Sequence, residues 1–138
     1  MNTPSPLAPF AARVALSAIF IWSGLAKLFA ASATQGYIAS AGLPAPAIAY
    51  WVAIAVEVGG GFMLLAGYRT RAVAPVLALF TIIAALAFHT GFADQNQAIH
   101  FMKNVAIAGG LMAVYAAGAG AWSADAMFGR TRPAAALA

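Results

Sequence analysis

Glu57 is the residue whose type and position are most unusual in this sequence. It lies near the middle of an apolar run at about 47–66, about nine or ten residues from either end. If that run is a helix crossing a bilayer, a rise of about 1.5 Å per residue puts the carboxyl group near the midplane. An isolated carboxylate is costly there, so we expect Glu57 to face other helices and to pair with a cation or bind a proton.

Two basic residues of the first apolar run are candidate partners for Glu57. Arg13 lies about 5 Å and Glu57 about 14 Å inside the same membrane face, a difference in depth of about 9 Å that two long side chains nearly close. Lys27 is somewhat farther from Glu57 in depth. By depth, Arg13 is therefore a better candidate partner for Glu57 than Lys27, and we expect an Arg13–Glu57 pair if Glu57 pairs with a cation. Taken alone, Arg13 is more typical of an arginine that extends to the lipid head groups. Glu57 would then relay protons, contact a polar head group, or simply fix helix packing.

A second group of polar residues is predicted to lie near the opposite membrane face. Four residues from three apolar runs could line one polar mouth there: Lys27, His89, Lys103 and Asn104. Each has a structural alternative, since lysines extend to the interface, Asn104 bonds a neighbouring helix and His89 caps a helix end. A haem held by His89 and His100 is disfavoured, because the spacing fixes no geometry and His100 is expected in a loop.

Several kinds of site are excluded by residue type. The chain has no cysteine, which excludes disulfides, thiolate metal sites and thiol redox chemistry. Since the sequence contains no carboxylate dyad, nucleophile–base pair or metal-ligand cluster, no metal site is predicted and enzymatic activity stays open with none favoured. The glycine runs at 59–61 and 109–110 lack the strand and turn of a nucleotide site. We expect glycines to allow close helix packing instead, at Gly24, Gly60, Gly61 and Gly110.

Membrane helices are the elements that must position these residues. Of the 138 residues, 64% are hydrophobic and only 7% are charged, and the mean hydropathy of +0.88 is far above that of soluble domains. Four apolar runs are each long enough to cross a hydrocarbon core of about 30 Å, and they lack the alternation of strands. We predict an all-α transmembrane four-helix bundle, a single membrane domain over 1–138 with helices at about 10–29, 47–66, 72–89 and 103–120 and a cytoplasmic tail at 121–138.

One face of the first helix is predicted to face the bundle interior. Its members recur at helical spacings of four and three, namely Arg13, Ser17, Phe20, Gly24 and Lys27. A cleaved signal peptide is the alternative interpretation of this run. Its length and the lysine within it favour a membrane span.

Basic residues are distributed unequally between the two membrane faces. Four spans put both termini and the segment GYRTR at 67–71 on one face, with Arg13, Arg69, Arg71, Arg130 and Arg132. The other face has Lys27 and Lys103. Basic residues concentrate on the cytoplasmic side, so we predict cytoplasmic termini, with the segments 30–46 and 90–100 outside. Because these residues form no continuous patch, the lipid bilayer rather than nucleic acid is the expected partner.

The order and spacing of several short motifs resemble the DoxX family over about residues 10–125. After Arg13 these are FIWSGLAKL at 20–28, YIASAGLP at 37–44, EVGGGFMLLAGYRTR at 57–71, FH at 88–89 and FMKNVAIAGG at 101–110. The resemblance implies a four-helix protein of the bacterial cytoplasmic (inner) membrane. It also implies importance, though not catalysis, for Gly24, Lys27, Glu57, Gly60, His89, Lys103 and Asn104.

The resemblance also implies a functional context. The family is named for similarity to a small subunit of an archaeal thiosulfate:quinone oxidoreductase, and some members are linked to membrane complexes that resist oxidative or thiol stress. It implies an accessory or anchoring subunit in quinone-linked redox or oxidative-stress physiology, with a quinone ligand, a membrane redox partner and an oligomer as candidates. The alternatives are a small proton-coupled carrier or exporter that uses Glu57, and a packing protein without a ligand in which Glu57 and Arg13 lock helices together.

Overall fold

The computed structural model describes residues 5–130, and within that range it contains helices and no strands. The helices are α1 (Leu7–Phe29), α2 (Ala31–Ser40), α3 (Pro46–Ala66), α4 (Thr70–Phe88), α5 (Gln95–Ala117) and α6 (Ala124–Arg130). Four of them, α1, α3, α4 and α5, are long and apolar enough to cross a membrane. The predicted all-α class with four membrane-spanning helices is therefore confirmed.

The fourth span begins at Gln95 rather than at about residue 103. Asp94 caps it, because its carboxylate accepts a hydrogen bond of 2.8 Å from the backbone N–H of Asn96. The polar residues of this first turn lowered the local hydropathy and concealed the start of the helix. His100, which was expected in a loop, consequently lies within α5.

Two segments predicted as connections contain helices of their own. The segment 30–46 contains α2, and the predicted tail 121–138 contains α6; the rest of that tail, 131–138, lies outside the described residues. Asp125 attaches α6 to the turn between α3 and α4, because its carboxylate accepts hydrogen bonds from the backbone N–H groups of Arg69 and Thr70 at 2.7 and 2.9 Å. The start of α4 is thereby capped by a residue distant in sequence.

The four spans pack in a ring, α1 against α3, α3 against α4, α4 against α5, and α5 against α1. The core is apolar and consists of Phe20, Leu64, Val73, Ala74, Leu77, Ala78, Ala108, Leu111 and Val114. As predicted, one face of α1 points inward, with Arg13, Ser17, Phe20 and Gly24 buried. A smaller cluster of Ile38, Tyr50 and Ile54 attaches α2 to α3.

The structure places the four predicted packing glycines against neighbouring helices. A Cβ atom added to Gly24 would lie 2.6 Å from Cγ2 of Val58, and one added to Gly61 would lie 2.9 Å from Cγ1 of Ile21. The corresponding distances are 2.9 Å from Gly60 to Cδ2 of Leu77 and 3.3 Å from Gly110 to Cδ2 of Leu16. Small residues at these points let helix backbones approach closely.

Candidate intramembrane binding site

Lys27 of α1 and Glu57 of α3 form an ion pair inside the bundle. The Lys27 Nζ atom lies 2.8 Å from Oε2 and 3.0 Å from Oε1 of Glu57, and it also donates to Oγ of Ser23 at 2.7 Å. The Glu57 side chain is 8% exposed and that of Lys27 is 25% exposed. The carboxylate thus has a cationic partner, as expected for a charge at this depth.

The prediction that Arg13 would be this partner is wrong. Depth along the helix was counted at backbone positions, whereas helical side chains point back toward the N-terminus of their helix. In α1 this direction carries Lys27 toward the middle of the bundle, where its hydrogen bond to Ser23 lies one turn back. It carries Arg13 away from the middle.

Arg13 instead joins three segments at the far end of the bundle. Its guanidinium donates to the carbonyls of Leu64 and Leu65 at 3.2 and 2.7 Å and to the carbonyl of Trp122. The side chain is fully buried, so the alternative in which Arg13 extends to the lipid head groups is also wrong. Carbonyls in the last turn of a helix carry partial negative charge and can accept a further hydrogen bond, which makes them suitable acceptors for a cation.

The local structure around Glu57 is a π-helical segment, Ala55–Gly60, within α3. Such segments hold an extra residue per turn and are frequent at functional sites. Gly24 lies opposite, and a Cβ atom there would be 3.1 Å from Cβ of Glu57. The close approach of α1 and α3 at this level therefore brings Glu57 within reach of Lys27.

A cavity of about 600 Å³ lies beside this ion pair, and we call it the Glu57 cavity. Its walls come from all four spans and from α2. Most of the lining is apolar, including Ile19, Phe20, Ile38, Leu43, Val52, Phe80, Ile83, Phe88 and Ile107. Its polar lining side chains are Ser23, Lys27, Thr34, Tyr37, Glu57, Thr81, His89 and Asn104. A large apolar cavity with few polar groups is the usual form of a small-molecule site.

Three of the four residues predicted to form a polar mouth line this cavity: Lys27, His89 and Asn104. Lys103 is exposed and does not contribute to the lining. Adjacent residues of a helix point about 100° apart, so an Asn104 that faces the cavity leaves Lys103 facing outward.

His89 is held at the cavity wall by two residues of α5. Its Nδ1 atom lies 2.9 Å from Oε1 of Gln97, and its ring stacks on that of His100 with centroids 5.0 Å apart and planes 20° apart. Stacked rings do not direct their nitrogens at one iron from opposite sides, which again disfavours haem ligation. Residues 5–130 contain no group of three or more His, Cys, Asp or Glu side chains able to hold a metal ion.

Two tyrosines near the ion pair were not predicted as site residues, and of these Tyr37 lines the cavity. The Tyr50 hydroxyl donates to the backbone carbonyl of Lys27 at 3.1 Å. The Tyr37 ring stacks on Phe88 with centroids 5.1 Å apart, which joins α2 to the end of α4. Tyr37 lies on α2, a helix that was not predicted, so its place in the cavity wall was not evident from the sequence.

The cavity has apolar rim residues on three different spans. Ile19, Val52 and Ile83 are 47%, 52% and 54% exposed, although they also line the cavity. In a membrane helix an exposed apolar side chain contacts lipid, so the rim connects the cavity to the hydrocarbon phase.

Comparison with known proteins gives consistent matches. The DoxX family model matches residues 8–90. The inner membrane protein YqjF of Escherichia coli K12 is 36% identical over 114 residues, which cover 83% of this chain and 86% of that protein. The inner membrane protein YphA of the same organism is 34% identical over 125 residues, covering 87% of this chain and 89% of that protein. No solved structure matches the chain significantly.

Proposed function

The chain belongs to the DoxX family, and from that premise we propose that it binds a quinone in the Glu57 cavity as an accessory subunit in quinone-linked redox or oxidative-stress physiology. The observation that carries this proposal is the position of a donor and an acceptor side by side in an apolar cavity. Lys27 supplies the donor and Glu57 the acceptor, 2.8 Å apart.

The polar pair fits both redox forms of a quinone head group. A quinone carbonyl accepts a hydrogen bond from the Lys27 ammonium, whereas a hydroquinone hydroxyl donates to the Glu57 carboxylate. Asn104, on another wall of the cavity, can offer an amide to the second oxygen of the ring. The chain's own residues thereby hold and orient the head group without favouring one oxidation state alone.

The apolar part of the cavity fits the remainder of such a ligand. A volume of about 600 Å³ lies within the usual range for small-molecule sites. Phe80 and Phe88 supply aromatic surface for the ring. The lipid-exposed rim at Ile19, Val52 and Ile83 lets an isoprenoid tail continue into the bilayer.

The residue types available for electron transfer support an accessory role. The chain has no cysteine, so thiol–disulfide chemistry belongs to another protein. In this proposal the subunit presents the quinone to a redox partner in the membrane.

The proton-coupled carrier hypothesis uses the same carboxyl group but gains less support. A carrier needs Glu57 to communicate with both membrane faces in turn. On the side of Glu57 that faces Arg13, the bundle is filled by Leu64, Leu77 and Leu111, none of which has exposed surface. This packing favours a binding site open on one side over a transport path.

The proposal is tested by quinone binding to the purified protein in lipid nanodiscs. The probe is a benzoquinone with a decyl tail, titrated into wild type, Glu57→Gln, Lys27→Met and the control Lys103→Met. We expect about tenfold or greater loss of affinity in the folded fraction of the first two variants, the usual effect of removing a charged hydrogen-bonding group. The control removes an exposed lysine outside the cavity and should bind as wild type.

Two outcomes contradict the proposal. One is equal affinity in all four proteins, which would assign the ion pair to helix packing alone. The other is pH-dependent uptake of a solute into vesicles by wild type but not by Glu57→Gln, which would favour the carrier. In cells, we expect Glu57→Gln to increase sensitivity to oxidants when it is compared with wild type at a matched amount of protein in the membrane.

A further inference from the structure

A second cavity lies at the opposite end of the bundle from the Glu57 cavity. It has a volume of about 570 Å³ and lies where the α3–α4 turn meets the end of α5 and the start of α6. We call it the arginine cavity, because Arg69 and Arg71 line it together with Ala72, Gly118, Ala119, Gly120, Ser123, Asp125 and Ala126.

The backbone of Arg69 and the guanidinium of Arg71 each have a defined neighbour. Arg69 has a left-handed backbone with φ of 48°, which is uncommon for a residue with a side chain. The hydrogen bond from its N–H to the Asp125 carboxylate stabilises this conformation. The Arg71 guanidinium lies against Gly118, where an added Cβ atom would be 3.7 Å from both Nε and Nη2.

The charges of the arginine cavity are not balanced within the described residues. Asp125 is its lining carboxylate, and both of its oxygens already accept hydrogen bonds from the backbone N–H groups of Arg69 and Thr70. Among residues 5–130 the salt bridge lies between Lys27 and Glu57, and neither Arg69 nor Arg71 is part of it. Arg69 stacks on Tyr68, with 5.7 Å between its Cζ atom and the ring centroid, and its donors stay available to an anion.

We propose that the arginine cavity binds the phosphate group of an anionic phospholipid. Two guanidinium groups present paired N–H donors that match phosphate oxygens. The cavity lies at the ends of α3, α4 and α5, and ends of membrane helices lie at the depth of lipid head groups. A head group without an ammonium leaves the phosphate charge unbalanced, so two arginines select an anionic lipid over a zwitterionic one.

The experiment is native mass spectrometry of the purified, delipidated full chain in detergent. Phosphatidylglycerol, phosphatidylcholine and inorganic phosphate are titrated separately into wild type, Arg69→Gln/Arg71→Gln, Arg69→Lys/Arg71→Lys and Lys103→Gln. We expect phosphatidylglycerol to bind wild type more tightly than phosphatidylcholine. The glutamine pair should lose about fivefold in affinity per arginine, or about 25-fold in all.

The other variants separate the effects of charge, guanidinium geometry and folding on the affinity for lipid. The lysine pair keeps the charge but lacks the planar fork, so it should bind with intermediate affinity. Lys103→Gln removes an exposed cation at the other end of the bundle and should bind as wild type. The proposal is overturned if Lys103→Gln loses as much as the glutamine pair, if both lipids bind equally, or if inorganic phosphate displaces the lipid at micromolar concentration. Unchanged lipid affinity in a glutamine pair that melts as wild type also overturns it.

Discussion

The Lys27 ammonium lies 2.8 Å from the Glu57 carboxylate, and both residues line a mostly apolar cavity. It joins α1 to the π-helical segment of α3 at the level where Gly24 brings the two backbones together. Among residues 5–130 neither charge has another ionic partner, so each protects the other from an unpaired state.

Removal of Lys27 alone should therefore destabilise the fold strongly. Lys27→Met leaves the Glu57 carboxylate unpaired, which we expect to lower the free energy of unfolding by about 3–5 kcal/mol. The double variant Lys27→Met/Glu57→Met should be much closer to wild type, because no buried charge remains. Reversible unfolding in detergent measures both, with Lys103→Met as the exposed control. A double variant destabilised by the sum of two large single effects would disprove this coupling.

Arg13 is predicted to hold the segment before α6 in place. Arg13→Lys keeps the charge but cannot bridge carbonyls on α3 and at Trp122 together, because an ammonium lacks the planar fork. We expect a loss of about 2–3 kcal/mol and faster hydrogen exchange at the backbone N–H groups of 123–127. Lys103→Arg, at an exposed residue of α5 near the other end of the bundle, is the control. Equal exchange in the two variants would show that Arg13 does not fix this segment.

Gly67 should not tolerate alanine. It has a left-handed backbone with φ of 67°, and an added Cβ atom would lie 2.5 Å from both Nη1 of Arg13 and Cβ of Ser123. Backbone strain and this clash together predict a loss of about 2 kcal/mol or more for Gly67→Ala. Gly109→Ala is the matched control, since nothing lies within 4 Å of its added Cβ atom in α5, and it should be neutral or stabilising. Thermal unfolding of both in detergent checks the difference, and similar melting temperatures would contradict it.

The sequence predicted those features of the fold that depend on helical periodicity. The spacing of Arg13, Ser17, Phe20 and Gly24 identified the buried face of α1, since residues three and four apart share one side of a helix. Hydropathy located the four spans. The start of α5 was missed because capping by Asp94 outweighs the low hydropathy of its first turn.

Only part of the site could be predicted, because the sequence pattern does not give the direction of a side chain or the contacts between helices. Glu57 stood out by its depth, but its partner depended on which way the Lys27 side chain points, which depth alone does not give. The stack of His89 on His100 and the closure by Tyr37 depend on helices, α5 and α2, whose extents were not recognised. The π-helical segment has no periodic pattern in the sequence. The glycines after Glu57 are the one sequence feature that accompanies it.

Photolabelling tests most directly whether a quinone occupies the Glu57 cavity. A photoactivatable benzoquinone is bound to the protein in nanodiscs, and labelled peptides are mapped by mass spectrometry. Ala84→Phe and Ala87→Phe, made separately, place a ring among the lining residues, whereas Ala113→Phe adds one at an exposed position of α5. We predict labelling of cavity peptides in wild type and in Ala113→Phe, and its loss in folded Ala84→Phe and Ala87→Phe. Labelling elsewhere on the chain, or equal labelling in all four proteins, would contradict the claim.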